Sequence, residues 1–284
     1  MASSTLPSTV NIAALLMMAY IIIFPIYYQS QISQNLQTIN SVIIIGGAFF
    51  KAIPIILLST MVAGRDKIVS KNDKLLSFIN SISYGLLFSS IGDISLDIED
   101  LPNYKFLFIV GLGSFLIAHL IYIRGFFIWG LQHSAVVAIA VGAGPLGMLS
   151  LLIPALQKKP ETSELLIPVC IYTLTIAVMV YTACIRNDEA SAVKNSIVSL
   201  SKRFGIYGAI VFAISDSILA YDKFILPINN GKIYVMVTYY LAQICIALSA
   251  YYSGNSNDET TTTTTNSSST SNSSSGKKDS KKRK

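Results

Sequence analysis

The stretch that decides the fold is Gly208–Phe224, GAIVFAISDSILAYDKF. It is an apolar run of helix length with one acid, Asp216, in its last third. An ionised carboxylate in hydrocarbon is expensive, so an aspartate kept there is a functional candidate. The rest of the chain has the same character. Of its 284 residues 52% are hydrophobic and only 13% charged, with a mean hydropathy of +0.57. That is not the composition of a soluble globular protein. The apolar residues fall in runs close to the ~20 residues that a spanning helix requires.

Working outward, these runs predict eight spans, near 10–28, 39–60, 75–95, 104–123, 127–156, 165–185, 204–222 and 233–252. The expected fold is all-α, a polytopic membrane helical bundle of about eight transmembrane helices within residues 1–253. The first run is too long for a signal peptide and lacks its basic start and small-residue cleavage site, so it counts as a helix. The fifth is interrupted by Gly142, Gly144, Pro145 and Gly147 and reads as one kinked helix or as two short ones. Basic residues in short loops set the orientation. Arg65, Lys67, Lys71, Lys74, Arg124, Arg186, Lys194, Lys202, Arg203 and six tail residues share one side, against Lys105, Lys158, Lys159, Lys223 and Lys232 on the other. Both termini are then cytosolic, and the acidic loop with Asp97, Glu99 and Asp100 faces away from the cytosol.

Residues 254–284 form a Thr/Ser/Asn-rich tail with a basic end, a composition that cannot bury a core and predicts disorder. Its last four residues, Lys281–Lys284, resemble a dilysine endoplasmic-reticulum retrieval signal; the alternative is a basic tail drawn to anionic headgroups. Sequons at Asn266 and Asn272 go unused if the tail is cytosolic.

Several function classes drop out. The net charge of +6 could suggest nucleic acid, but six of the 21 basic residues lie in the last eight positions, so the charge reads as membrane orientation. Cys170, Cys184 and Cys245 are scattered within apolar runs and offer neither a disulfide framework nor metal spacing, and two histidines make no His-rich metal site. No GxSxG elbow or HExxH helix is present. Val141–Gly147, VGAGPLG, lacks the strand that a nucleotide-binding loop needs and reads as a helix break. No cofactor and no metal are expected.

The chain also hints at an internal repeat. Gly85–Leu96, GLLFSSIGDISL, parallels Gly208–Leu219, GAIVFAISDSIL: each has Gly eight residues before Asp, a small residue directly before it and Leu three after. The two runs point the same way, as a four-plus-four duplication with parallel halves would require. Chance likeness between apolar helices is the competing account.

Five intramembrane polar residues stand out: Lys51, Asp93, His119, Asp216 and Gln243. Asp93 and Asp216 both lie ~5–10 Å inside the non-cytosolic boundary, deep enough to face one another. Two close carboxylates do not both ionise easily, which yields an acid and a base. Alternatively each pairs separately with Lys51 or a helix end. Lys51, near mid-membrane, needs a buried partner and is either the counter-ion of an aspartate or an anchor for a phosphate. His119, counted from Tyr104, lies ~20 Å down, so a direct Asp–His pair is not expected. Gln243 reads as an interhelical hydrogen-bonder. His133 and Asp222 read as interfacial.

These residues sit in motifs that together resemble the YhhN family of lysoplasmalogenase-like membrane proteins. The matching pieces are Lys51-Ala-Ile-Pro54, Gly92-Asp93-Ile-Ser-Leu96, Gly111-Leu-Gly-Ser-Phe115 with Ala118-His119-Leu-Ile-Tyr122, Gly208-Ala209 through Ser215-Asp216-Ser-Ile-Leu219-Ala220, and Tyr239-Tyr240-Leu-Ala242-Gln243. They run in family order from Lys51 to about Ala250, and the tail has no counterpart. The resemblance implies an eight-helix hydrolase of the bilayer that cleaves lysoplasmalogens, single-chain lysophospholipids with a vinyl ether. The implied products are a fatty aldehyde and glycerophosphocholine or glycerophosphoethanolamine. It also carries the fold better than the reaction.

The residues suit such chemistry, which needs a protonated acid, a carboxylate opposite positive charge and a base for water, as in glycosidases. Asp93 and Asp216 are the expected acid/base pair, with Lys51 tuning them. His119, Tyr122, Ser215, Tyr240 and Gln243 are expected to touch the substrate or support the pair, and the chain to extend between helices toward mid-membrane. The alternatives are a transporter or lipid-binding membrane protein, whose buried charges mark a transport path, or a fold retained without catalysis.

Overall fold

The computed structural model describes residues 7–32, 37–65, 72–99, 101, 104, 106–158, 160–187 and 197–253. The tail from 254 on, with Asn266, Asn272 and the terminal basic residues, lies outside the described residues, as do Lys67, Lys71, Lys105, Lys159 and Lys194.

Among the described residues eight long helices make up the bundle: α1 (Ser8–Ile32), α2 (Gln37–Ala63), α3 (Asp73–Ile98), α4 (Leu107–Phe127), α5 (Ala135–Gln157), α6 (Leu166–Ile185), α7 (Ile197–Phe224) and α8 (Gly231–Tyr251). A single turn, Pro160–Ser163, precedes α6. Seven of these helices are long and apolar enough to cross a membrane, and α1 adds the apolar stretch Ser8–Ile23. The chain is an integral, multi-pass membrane protein of all-α architecture, with no strand among the described residues. In hydrocarbon only helices or closed barrels satisfy the backbone, which is why apolar runs of this length become helices.

The fifth apolar region is one helix, not two. It begins at Ala135 rather than 127, and keeps Pro145 and Pro154 within it. The earlier part of that run belongs to α4, which continues to Phe127, and to a connector that turns at Gly130, whose φ of +78° favours glycine. Ser134 Oγ accepts the Val137 amide at 3.4 Å and caps α5. The connector is tied to the end of α6: Gln132 N donates to Ile185 O at 2.8 Å and Asn187 N to Gly130 O at 3.0 Å.

The two closest seams are α3 on α4 and α7 on α8. Glycine makes both. A methyl group on Gly85 would strike the Tyr122 ring, and one on Gly208 would come within 2.7 Å of Ile246 Cγ1 and 2.9 Å of its backbone N. Small residues at such crossings let membrane helices approach without a hydrophobic driving force. Gly85 and Gly208 are the equivalent glycines of the two similar runs, so the likeness extends from sequence to packing. The first four helices and the last four are here called the two halves of the chain.

One basic residue of a loop is not exposed. Arg186, at the end of α6, is buried, with its guanidinium 5.0 Å from the centroid of Phe78 and 5.7 Å from that of Phe126, and it donates to Ser201 Oγ at 2.9 Å.

Candidate active site

Helix position decides which polar groups meet. Asp93 lies five residues before the end of α3 and Asp216 eight before the end of α7, or ~8 and ~12 Å along their axes. A cavity of about 1270 Å³ opens between the helices at this level, and both carboxylates line it, with Lys51 and Ser215. His119, Tyr122, Tyr240 and Gln243 are buried behind the wall and do not line it.

Asp93 has both oxygens engaged. Tyr239 donates its hydroxyl to Oδ2 at 2.6 Å, and Lys51 Nζ lies 3.6 Å from Oδ1. Lys51 is also shared with Asp97, at 3.0 Å, and Asp97 accepts the hydroxyl of Tyr20 at 3.0 Å. The lysine is therefore held between two carboxylates one helical turn apart, and its own backbone oxygen accepts the Tyr240 hydroxyl at 3.1 Å. An ammonium this buried persists only with such partners.

Asp216 is served differently. Tyr172 donates to its Oδ2 at 2.6 Å, and His119 Nε2 lies 3.2 Å from the Tyr172 oxygen and 3.8 Å from Oδ2. Tyr172 has one hydrogen and gives it to the carboxylate, so His119 must donate its Nε2 hydrogen to the phenol. That fixes the tautomer and leaves Nδ1, which has no hydrogen-bond partner among the described residues, as the bare nitrogen. The other oxygen of Asp216, Oδ1, has no hydrogen bond or ion pair among the described residues.

An aromatic wedge separates the two centres. Phe212 packs edge-on against Tyr239, with centroids 5.6 Å apart, and against His119, at 4.7 Å. Phe115 closes the set, 5.9 Å from Tyr239 and 6.2 Å from Phe212. Edge-to-face pairs of this kind fix ring orientations, and with them the hydroxyl and imidazole that hold the carboxylates.

The arrangement departs from the expectation in three ways. Asp93 and Asp216 share a cavity, but each bonds its own partners and neither bonds the other. His119, set aside on depth, lies beside Asp216. α4 starts at Leu107, not Tyr104, and α7 runs on to Phe224, so the two residues differ by only ~6 Å along the axes. Asp97 belongs to α3 and to the Lys51 centre rather than to an acidic loop.

The remaining expected residues support the walls. Tyr122 donates to Gln243 Oε1 at 3.1 Å, and Ser215 Oγ donates to Val235 O at 3.0 Å. Tyr172, Tyr239, Tyr20 and Asp97 were missed. Only Asp97 carried a signal, standing four residues after Asp93 on one helix face.

The YhhN family profile matches residues 46–250. The chain is 30% identical over 143 residues to lysoplasmalogenase TMEM86B of Homo sapiens, covering 50% of this chain and 54% of that protein. It is 32% identical over 174 residues to lysoplasmalogenase TMEM86A of Bos taurus, covering 60% and 64%. A lysoplasmalogenase of Mycobacterium tuberculosis is 30% identical over 174 residues, covering 59% of each. The chain thus spans between about half and two thirds of these relatives. No solved structure matches it.

Proposed function

Since the chain belongs to the YhhN family, we propose that it is a membrane hydrolase that cleaves the vinyl ether of lysoplasmalogens. The observation that carries this reading is the pair of carboxylates with unlike partners on two helices of one amphipathic cavity. Relatives named lysoplasmalogenase support the substrate class.

The chemistry divides between the two centres. Asp216, with Oδ2 held by Tyr172 and Oδ1 unbonded, is the acid. It protonates the β-carbon of the vinyl ether and leaves an oxocarbenium ion. Asp93, with both oxygens engaged by Lys51 and Tyr239, is the fixed carboxylate that faces the positive charge. Water adds to the α-carbon and loses its proton to a carboxylate. The hemiacetal then collapses, the glycerol oxygen leaves with a proton, and a fatty aldehyde and glycerophosphocholine or glycerophosphoethanolamine result. His119 orients Tyr172, and Tyr240 holds the backbone of Lys51. Tyr122, Gln243 and Ser215 brace the helices around them. The carboxylates lie near the end of the bundle where a lysolipid would carry its glycerol, so the scissile bond and the two aspartates share a depth.

The enzyme belongs in the endoplasmic reticulum with both termini cytosolic, on the distribution of its basic residues and its terminal Lys281–Lys284. Residues 1–253 are the membrane domain and 254–284 a tail outside it. Endoglycosidase-sensitive glycan on Asn266 or Asn272 would overturn that topology.

The deciding measurement is aldehyde release from a lysoplasmalogen by the purified protein, beside Asp93→Asn and Asp216→Asn. Release that both substitutions abolish is the expected result. Activity surviving in both removes the two carboxylates from the mechanism, and absence of release with uptake of a solute into vesicles replaces the hydrolase with a carrier.

A further inference from the structure

One limb of the cavity takes no part in acid–base chemistry. α5 presents a single inward stripe, Val137, Val141, Pro145, Met148, Leu152 and Leu156. At the far end Leu152 and Leu156 are fully buried against Val169 of α6, with Ala220, Phe224 and Ile225 packed on them. From Met148 back to Val137 the helix continues unbroken, yet the same stripe is only half-buried. There it faces the cavity, across from Ile176 and Val180 of α6 and Ala213 of α7. The outer side of this half faces away from the bundle: Ile139 and Leu146 are 76 and 69% exposed. Among the described residues a single helix therefore stands between limb and lipid at this point of the bundle.

That wall is built to bend. The loss of packing coincides with Gly142–Gly147. Pro145 cannot donate to the Val141 carbonyl, and methyl groups on Gly142, Gly144 or Gly147 would find nothing within 4 Å. These glycines serve no close crossing, unlike Gly85 and Gly208. Proline with unpacked glycines is the usual origin of a helix bend. Both ends of α5 are anchored, one by the backbone bridge between the connector and α6, the other by Leu152 and Leu156. Its middle is free.

We infer that the limb between α5, α6 and α7 holds the hydrocarbon chain of a single-chain lipid, and that the chain reaches it sideways from the bilayer as α5 bows outward at Gly142–Gly147. The inference rests on the proposed reading only for the headgroup end of the ligand. A limb walled by aliphatic side chains is a poor site for water and a good one for hydrocarbon. The whole cavity, at about 1270 Å³, exceeds the ~300–1,000 Å³ of sites for drug-sized molecules, as a headgroup site with a chain limb must.

The test uses the full chain in lipid nanodiscs and a lysophosphatidylcholine whose ester-linked chain ends in a diazirine. The probe has no vinyl ether, so it reads binding and not turnover. Illumination should label residues 136–148 and the facing part of α6. Val141→Trp, which fills the limb, should cut that labelling about tenfold. Pro145→Ala, which restores an amide donor to the Val141 carbonyl and stiffens α5, should slow its onset several-fold. Labelling of wild type on α1, α2 or the connectors overturns the chain site whatever the variants do. An unchanged onset in Pro145→Ala overturns the sideways path. Labelling on α5 without aldehyde release from a lysoplasmalogen leaves this inference standing and removes the reaction; release with labelling elsewhere does the reverse.

Discussion

Asp93 and Asp216 stand 123 residues apart and hold the same place in the two halves of the bundle. Each lies on the third helix of its half and accepts a tyrosine hydroxyl on Oδ2 at 2.6 Å. Each also draws one partner from the second helix of its own half and one from the fourth helix of the other. The chemistry of those partners is not repeated. For Asp93 the second helix supplies an ammonium, Lys51, and the fourth a phenol, Tyr239. For Asp216 the second supplies a phenol, Tyr172, and the fourth an imidazole, His119. A repeated frame thus carries two unlike environments, and unlike environments are what divide acid from base between two otherwise equal carboxylates.

The largest test of that division is a ranking. Asp216→Asn should lower aldehyde release by ~10²–10⁴-fold, the usual share of a general acid, and by more than Asp93→Asn does; initial rates in detergent settle the order. Equal losses would mean that the two act as an undivided pair.

Stability should rank the other way. Lys51→Met strands Asp93 and Asp97 together, at a cost of ~3–5 kcal/mol, whereas His119→Gln should cost less, because Tyr172 still donates to Asp216. The glutamine keeps a side-chain amide donor near the Tyr172 oxygen; thermal unfolding in detergent reads the gap, and adding Asp97→Asn to Lys51→Met should recover part of the loss.

The two phenols sharpen the contrast. Removing a hydrogen bond to a charged group costs ~1.5–3 kcal/mol. In Tyr172→Phe that loss should appear in turnover, because Asp216 loses what aims it. In Tyr239→Phe it should appear chiefly in stability, because Lys51 still holds Asp93. Rates and melting temperatures of the two variants side by side would show whether the roles are so divided.

The smallest effect concerns the frame. Overpacking costs ~1–3 kcal/mol. Gly85→Ala should cost at least as much as Gly208→Ala, since its methyl would overlap the ring of Tyr122, which is fully buried and bonded to Gln243, while that on Gly208 would stand 2.7 Å from Ile246 Cγ1 and 2.9 Å from its backbone N. Unfolding midpoints of the two variants test it.

The bundle was legible in the sequence because hydrocarbon enforces long apolar runs, and the likeness of Gly85–Leu96 to Gly208–Leu219 because glycine and aspartate keep their spacing in both. The pairing within the site was less so. Depth counted from an assumed helix start put His119 too far from Asp216, and the start was wrong by three residues. Asp97 was readable in principle as the next turn after Asp93 but was taken for loop charge. Tyr172 was not readable at all: a tyrosine in an apolar helix looks the same whether it meets lipid or a carboxylate, and only the crossing of α6 with α7 decides which. Span 5 stayed open because glycine and proline break helices in water, whereas in a bilayer the helix continues around them.

The crossing of partners between halves has a consequence for cutting the chain. Neither half owns a complete site: residues up to the α4–α5 connector include Asp93 and Lys51 but not Tyr239, and those beyond it include Asp216 and Tyr172 but not His119. Two fragments severed at that connector would each carry a carboxylate stripped of one partner, and only their reassociation would restore both centres.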